Sequence, residues 1–262
     1  MFYRRGNKMS VSFDYSGKVA LVTGAGTGIG RETALAFAKA KAYVAIIGRS
    51  ENNIQETLRL VTEMGGQAIA IQADVSQEDS IKAAIEKTVE TFGKLDFAFN
   101  NAGIEHKAIP AADIPSEEWD RIISTNLNGV FFSMKHEIPA MLKSGSGSIV
   151  NTASGAGVKG FPGNGAYCAS KFGLIGLSKA AALDYAKQHL RINVVAPGII
   201  ETPMMQRFTG GTEEGRETAI AQEPVGRAGH PKEIAGTVLW LCSDLAAFTT
   251  GSVFVVDGGQ TA

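Results

Sequence analysis

The sequence predicts an α/β fold: one doubly wound parallel sheet of about seven strands with helices on both faces. Three observations carry that reading. Strand-like apolar runs alternate with helix-period segments along almost the whole chain, the connections between them are short, and a glycine-rich turn joins the first strand to the first helix. At 262 residues and 44% hydrophobic composition, the chain can bury a large core in one domain.

The elements follow in order. Residues 19–23 read as a strand entering the glycine turn, and 30–40 as a helix. Residues 42–47 form a second strand and about 51–64 a helix; 68–72 form a third strand, ending at Asp74, and 76–92 a helix. The fourth strand is 95–99. A long helix over 116–141 carries Trp119, Ile122, Ile123, Leu127, Val130, Phe131 and Met134 at i, i+3, i+4 spacing. Then come a fifth strand at 148–152, a helix over about 167–188, a sixth strand at 192–195 and a short seventh at 253–256. Residues 203–231, rich in Gly, Thr, Glu and Arg, are expected to form a long irregular lid or binding loop. Residues 1–16 read as a flexible N-terminal leader, with Met9 an alternative start, and 17–262 as the domain proper.

Composition narrows the class. The formal net charge is -1 and no basic run exceeds a pair, which argues against nucleic acid as a partner. Cys168 and Cys242 have no metal spacing and read as reduced thiols. His106, His136, His189 and His230 also lack metal spacing and are expected on the surface or in loops, so no metal site is predicted. With no spanning segment and no secretory h-region, the expectation is a soluble cytoplasmic protein without a membrane role.

Two clusters carry chemistry. Gly24-Ala-Gly-Thr27-Gly28-Ile29-Gly30 lies between a strand and a helix, where glycines let the backbone approach a pyrophosphate seated on the helix N-terminus. Ligands of open α/β sheets bind beyond the carboxyl ends of the strands, which here place Asp74-Val75 and Asn100-Asn101-Ala102-Gly103 beside that turn. The second cluster is Tyr167 and Lys171, four residues apart and so on one helix face, with Ser154 thirteen residues upstream. An ammonium near a phenol lowers the phenol's pKa, and a tyrosine so tuned can exchange a proton with a hydroxyl or carbonyl oxygen that Ser154 would also hold. Proton transfer beside a dinucleotide is hydride chemistry.

Thr23-Gly-x-x-x-Gly-x-Gly30, Asn100-Asn-Ala-Gly103, Asn126, Ser154, Tyr167-x-x-x-Lys171 and Pro197-Gly-x-x-x-Thr202 stand in an order and spacing that resembles the short-chain dehydrogenase/reductase family over about residues 16–262. The resemblance implies a single Rossmann-like domain, NAD(H) or NADP(H) as cofactor, a carbonyl or secondary alcohol as substrate, and a homotetramer, with a dimer as the smaller alternative. It further implies that Tyr167 is the acid/base, that Lys171 also hydrogen-bonds the nicotinamide ribose, that Asn126 helps hold a water linked to the lysine, and that Pro197, Gly198, Ile200 and Thr202 meet the nicotinamide end. Thr202 could equally cap a lid helix.

The end of the second strand reads Ile47-Gly48-Arg49-Ser50. A carboxylate there would take the ribose 2′-OH of NAD, whereas an arginine accommodates the 2′-phosphate of NADP. Gly48 aligns with the NAD-type aspartate and Arg49 follows, so NADP(H) is favoured and NAD(H) stays possible. Substrate-pocket candidates are Glu105, His106, Val158, Phe161, Met204, Met205 and Phe208. The general likeness is to 3-oxoacyl-thioester reductases and to sugar or cyclic-alcohol dehydrogenases. Gly145 and Gln188 stand where carrier-protein docking would use basic residues, which counts against a dedicated fatty-acid role. Three readings stay open: an NADPH-dependent carbonyl reductase, an NAD-dependent alcohol or sugar dehydrogenase, and a non-enzymatic nucleotide sensor.

Overall fold

A computed structural model describes residues 11–262. Seven parallel strands form one sheet in the order β3-β2-β1-β4-β5-β6-β7. They are β1 (Val19–Thr23), β2 (Tyr43–Gly48), β3 (Gln67–Gln72), β4 (Phe97–Asn100), β5 (Gly147–Thr152), β6 (Leu190–Pro197) and β7 (Val253–Val256). The central strands are buried on both faces, which is why their sequences read as continuous apolar runs rather than alternating ones.

Side-chain alternation divides the core into two layers. Val19 and Leu21 of β1 face helices α3 (Glu78–Phe92), α5 (Gly129–Lys143) and α6 (Gly165–Tyr185). Ala20 and Val22 face α1 (Gly28–Lys39), α2 (Glu51–Glu63) and α9 (Pro231–Cys242). Strand order reverses between β1 and β4, so a crevice opens at their carboxyl ends, the usual place for a dinucleotide.

Four expectations change. The long helix at 116–141 is two helices, α4 (Ser116–Ile123) and α5, joined by a π-turn over Ser124–Asn128 that contains Asn126. The stretch 203–231 is not irregular: it holds α7 (Pro203–Phe208) and α8 (Glu213–Ile220), capped by Thr202 and Thr212. Helix α9 was not anticipated, although Pro231 at its first turn and Glu233, whose carboxylate accepts from His230 N at 2.7 Å, are an N-terminal signature before an apolar run. The domain also begins before residue 17. Tyr15 is 6% exposed, packs against Phe37 and Phe97, and donates its hydroxyl to the Leu239 carbonyl, so the end of the expected leader belongs to the core. Residues 1–10 of that leader, Met9 included, lie outside the described residues.

Among the described residues, no helix is long and apolar enough to cross a membrane, and no cluster of His, Cys, Asp and Glu could hold a metal ion.

Candidate active site

The glycine turn is a steric construction. Gly28, at φ +54°, starts α1, and a Cβ there would lie 3.0 Å from Thr202 Cγ2. A Cβ on Gly30 would fall 2.3 Å from the Gly24 carbonyl oxygen, so only glycine lets the helix start under the loop. Gly30 is buried beneath the loop rather than lining the cleft, whereas Gly24, Thr27, Gly28 and Ile29 line it. Thr23 Oγ1 accepts from Asn101 N and Ala102 N at 3.0 and 3.1 Å, and Asn101 Nδ2 donates to the Thr23 carbonyl at 3.2 Å. These bonds lock the end of β4 to the glycine turn. The α1 N-terminus and the missing side chains leave a cradle that fits a pyrophosphate.

From that cradle the cleft, of about 440 Å³, runs in two directions. One end is walled by Gly48, Arg49, Ser50, Asp74 and Val75. Arg49 is exposed, its Nη1 3.9 Å from Asp74 Oδ2, while Asp74 Oδ1 accepts from Ser76 N and Oγ at 2.9 and 2.7 Å. The other end is walled by Gly103, Ser154, Tyr167, Lys171, Pro197, Gly198, Ile200 and Thr202. Thr202 does cap α7, its Oγ1 accepting from Met205 N at 3.2 Å, and lines the cleft at the same time.

Ser154, Tyr167 and Lys171 meet there because β5 ends at Thr152 and α6 begins at Gly165, so the strand-end loop faces the first two turns of the helix. Lys171 is 3% exposed; its Nζ donates to the Thr152 carbonyl at 2.8 Å and sits 5.6 Å from the Tyr167 ring centroid. Burial pushes the lysine down to about 8. Burial also pushes the tyrosine up to about 12, with the Ser154 hydroxyl acting in the opposite sense and Glu105 adding to the rise. The expectation that the ammonium lowers the phenol's pKa is therefore not met: burial raises it instead. Loss of water is the main cause for both groups, and the lysine donates to a backbone carbonyl, that of Thr152.

Asn126 does not line the cleft. It is fully buried; its Oδ1 accepts from Ile104 N at 2.8 Å, and its Nδ2 donates to the Ile104 carbonyl at 2.9 Å and to Ser170 Oγ at 3.3 Å. Its side chain, presented from the π-turn, thus holds the loop after β4 in place.

Of the pocket candidates, Glu105, Phe161, Met204, Met205 and Phe208 line the cleft. His106 and Val158 do not. His106 is buried with Nδ1 against the Lys107 carbonyl, so it is not a surface residue either, and Val158 is exposed beyond the cleft. Reasoning from sequence missed, among others, Ile104, Asn164, Arg207, Gln222 and Gln260, which also line the cleft. Arg207 of α7 donates to Glu105 through Nε at 2.7 Å and Nη2 at 3.3 Å, an ion pair from the lid to the loop after β4 that no local sequence pattern announces.

The comparisons with known proteins agree with this geometry. A family model described as enoyl-(acyl carrier protein) reductase matches residues 24–261. Cyclohexanol dehydrogenase of Acinetobacter sp. (strain SE19) is 45% identical over 254 residues, covering 96% of this chain and 98% of the relative. The 3-oxoacyl-(acyl-carrier-protein) reductase of Thermotoga maritima is 41% identical over 243 residues, covering 93% and 97%. The crystal structure of levodione reductase superposes with a TM-score of 0.92 at 35% identity, covering 94% of this chain and 98% of that one. A cradle for a dinucleotide, a serine–tyrosine–lysine group at its reactive end and near full-length likeness to dehydrogenases and reductases lead to one conclusion: the chain belongs to the short-chain dehydrogenase/reductase family, and is an oxidoreductase that interconverts a carbonyl and a secondary alcohol.

Proposed function

We propose that this enzyme is an NADPH-dependent reductase of ketones on small carbocycles, with Tyr167 as its proton donor. The observation that carries the reading is the convergence of Ser154, Tyr167 and Lys171 at one end of a cleft whose other end presents Arg49. The nicotinamide, when bound, supplies the hydride. Tyr167, kept protonated by its burial, hands its proton to the oxygen as negative charge develops there, and a phenol near 12 is still a far stronger acid than an alcohol. Ser154, whose hydroxyl accepts from Ala156 N at 3.2 Å and hydrogen-bonds the Tyr167 phenol, orients that oxygen beside the proton donor. Lys171, bound to the Thr152 carbonyl and low in pKa, can hold the cofactor ribose and pass a proton on to the phenolate. Asn126 fixes the loop that carries Gly103, whose Cβ would lie 3.4 Å from Asn126 Oδ1 and 3.5 Å from Lys171 Nζ.

For the nucleotide, Gly48 offers no side-chain acceptor to a ribose 2′-hydroxyl, and the exposed Arg49 guanidinium supports a 2′-phosphate. Asp74, Val75, Asn101, Ala102, Pro197, Gly198, Ile200 and Thr202 would then border the adenine and nicotinamide ends. For the substrate, the wall of Phe161, Met204, Met205 and Phe208 is apolar, and the charges of Glu105 and Arg207 satisfy each other. Those features suit an uncharged ring. Two relatives are named for six-membered carbocycles, cyclohexanol and 2,5-dichloro-2,5-cyclohexadiene-1,4-diol. Trp119, Phe131 and Phe172, exposed on α4, α5 and α6, offer an apolar face for pairing with a second copy, consistent with a homo-oligomer.

Parallel titration of the purified protein with NADPH and NADH, read by nicotinamide fluorescence, tests the nucleotide assignment. The reading expects tighter NADPH binding and an Arg49→Ala variant that loses NADPH affinity far more than NADH affinity. Equal losses for the two nucleotides would contradict it.

A further inference from the structure

We infer that Ile54, which lies outside the serine–tyrosine–lysine site, sets the nucleotide choice by occupying the space in which residue 48 would have to carry a side chain. The inference rests on the reading that Arg49 meets a 2′-phosphate.

Gly48 ends β2 and pairs with Gln72 in register. Its φ lies outside the left-handed region, so the backbone itself would accept any residue. A Cβ there would nevertheless fall 2.8 Å from Ile54 Cγ2, a separation real Cβ atoms essentially never show, while the next nearest atom, Gly26 N, is 3.9 Å away. One side chain therefore keeps position 48 as glycine.

Ile54 has little freedom to yield. It is 1% exposed within the layer between the sheet and α1 and α2, and a β-branched side chain in a helix has one strongly preferred rotamer. Helix α2 cannot back away either, because its first turns are tied to the glycine turn. Thr57 Oγ1 donates to the Ala25 carbonyl at 2.9 Å, Arg31 Nε donates to Thr57 Oγ1 at 3.1 Å, and Arg31 Nη2 donates to the Gly26 carbonyl. A Cβ on Gly26 would lie 2.9 Å from Asn53 Cβ, so helix and turn are in direct contact. Moving Ile54 aside would drag the cradle with it.

The consequence is chemical. With residue 48 held as glycine, no carboxylate can be added at that position to accept from a ribose 2′-hydroxyl or to repel a phosphate beside Arg49. The acids nearby have other partners: Asp74 Oδ1 accepts from Ser76 while its Oδ2 lies 3.9 Å from Arg49 Nη1, and Glu51 Oε1 accepts from Gln55 Nε2 at 2.7 Å. Ile54 is thus a positioning residue. It acts through the side chain it forbids.

Four proteins test this: wild type, Gly48→Asp, Ile54→Ala and the double variant. For each, the melting temperature without cofactor and the dissociation constants for NADPH and NADH are measured. Gly48→Asp alone is expected to melt several degrees lower than wild type and to weaken both nucleotides. In the Ile54→Ala background the same change is expected to cost clearly less stability and to move the NADH-to-NADPH affinity ratio towards NADH by about tenfold or more relative to Ile54→Ala alone. Should Gly48→Asp not fold, Gly48→Ala, which adds only the clashing Cβ, supplies the stability comparison. Equal stability costs in both backgrounds, or an unchanged affinity ratio in the double variant, would overturn the inference. A wild-type preference for NADH would overturn the Arg49 reading and the nucleotide half of this inference with it. That result is seen in the unmutated protein and is distinct from a failed coupling.

Discussion

The two ends of the cleft are built by different physics. At the nucleotide end, Gly24 and Gly30 are required because main chain occupies the place of their Cβ, and Gly28 because the Thr202 side chain does. Asn101, Thr23 and Thr57 then close that end with hydrogen bonds to main-chain groups. At the substrate end, the walls come from a lid held by side-chain ion pairs that face solvent: Arg207 with Glu105, Arg216 with Glu201, and Arg227 with Glu233. Such pairs contribute about 0–1 kcal/mol each, whereas forcing a Cβ into a close-packed contact costs about 1–3 kcal/mol. The nucleotide end is therefore rigid and intolerant of change. The segment carrying α7 and α8 is held by the weaker contacts.

Substitutions on either side can sharpen or break that contrast. The largest expected effect lies at the reactive end. Lys171→Met should lower kcat about 10²–10⁴-fold, the usual range for a proton-transfer group. The same variant should gain stability at neutral pH. Lys171 is held at about 8, below its unfolded value, so the native lysine resists protonation and wild-type stability rises as pH climbs from about 8 towards 10.5. Steady-state kinetics and denaturant melts at pH 7 and 10 check both halves.

Next in size is the acid beneath the sheet ends. Glu137 is fully buried; its only recorded hydrogen-bond donor is Asn100 Nδ2 at 2.9 Å, and its other oxygen has no partner. Burial pushes it up to about 8, above its unfolded value near 4.5. Its stabilising contribution is then full below about pH 4.5 and lost as pH rises through 8, by an amount of a few kcal/mol. Glu137→Gln, which keeps an acceptor for Asn100, should flatten that slope and be the more stable protein at pH 8. A wild-type profile already flat between these values would show that Glu137 is ionised in place.

Gly30→Ala should come third, costing about 1–3 kcal/mol in denaturant melts and weakening both nucleotides together, because its Cβ would strike the Gly24 carbonyl. The smallest effect belongs to the lid. Arg207→Ala should change stability by less than about 1 kcal/mol and leave nucleotide affinity alone, while raising KM for the substrate. If Arg207→Ala instead matched Gly30→Ala in its cost, the contrast between the two ends would fail.

The same contrast explains what could be read from the sequence. Steric demands at the nucleotide end leave a residue-by-residue imprint, so Gly24 to Gly30, Asn101 to Gly103 and the sheet alternation were legible without coordinates. Ser154, Tyr167 and Lys171 were legible because one strand end and one helix start carry all three. Four features were not, each because it depends on distant contacts or on a signal that was passed over. The π-turn at Asn126 answers to Ile104 and Ser170, the Arg207–Glu105 pair joins residues 102 positions apart, and His106 is buried by tertiary packing. Helix α9 carried a clear N-terminal signature that the neighbouring glycine-rich and charged stretch obscured. The phenol pKa was misjudged for a related reason, since helix spacing reveals the nearby charge but not the loss of water around it.

The central claim is that Tyr167 moves the proton while the rest of the cleft binds the cofactor. It is tested most directly by Tyr167→Phe, assayed for reduction of a cyclic ketone and titrated with NADPH. The account predicts turnover reduced to background with the NADPH dissociation constant within about twofold of wild type. Turnover close to wild type would contradict it and move the proton donor elsewhere in the cleft.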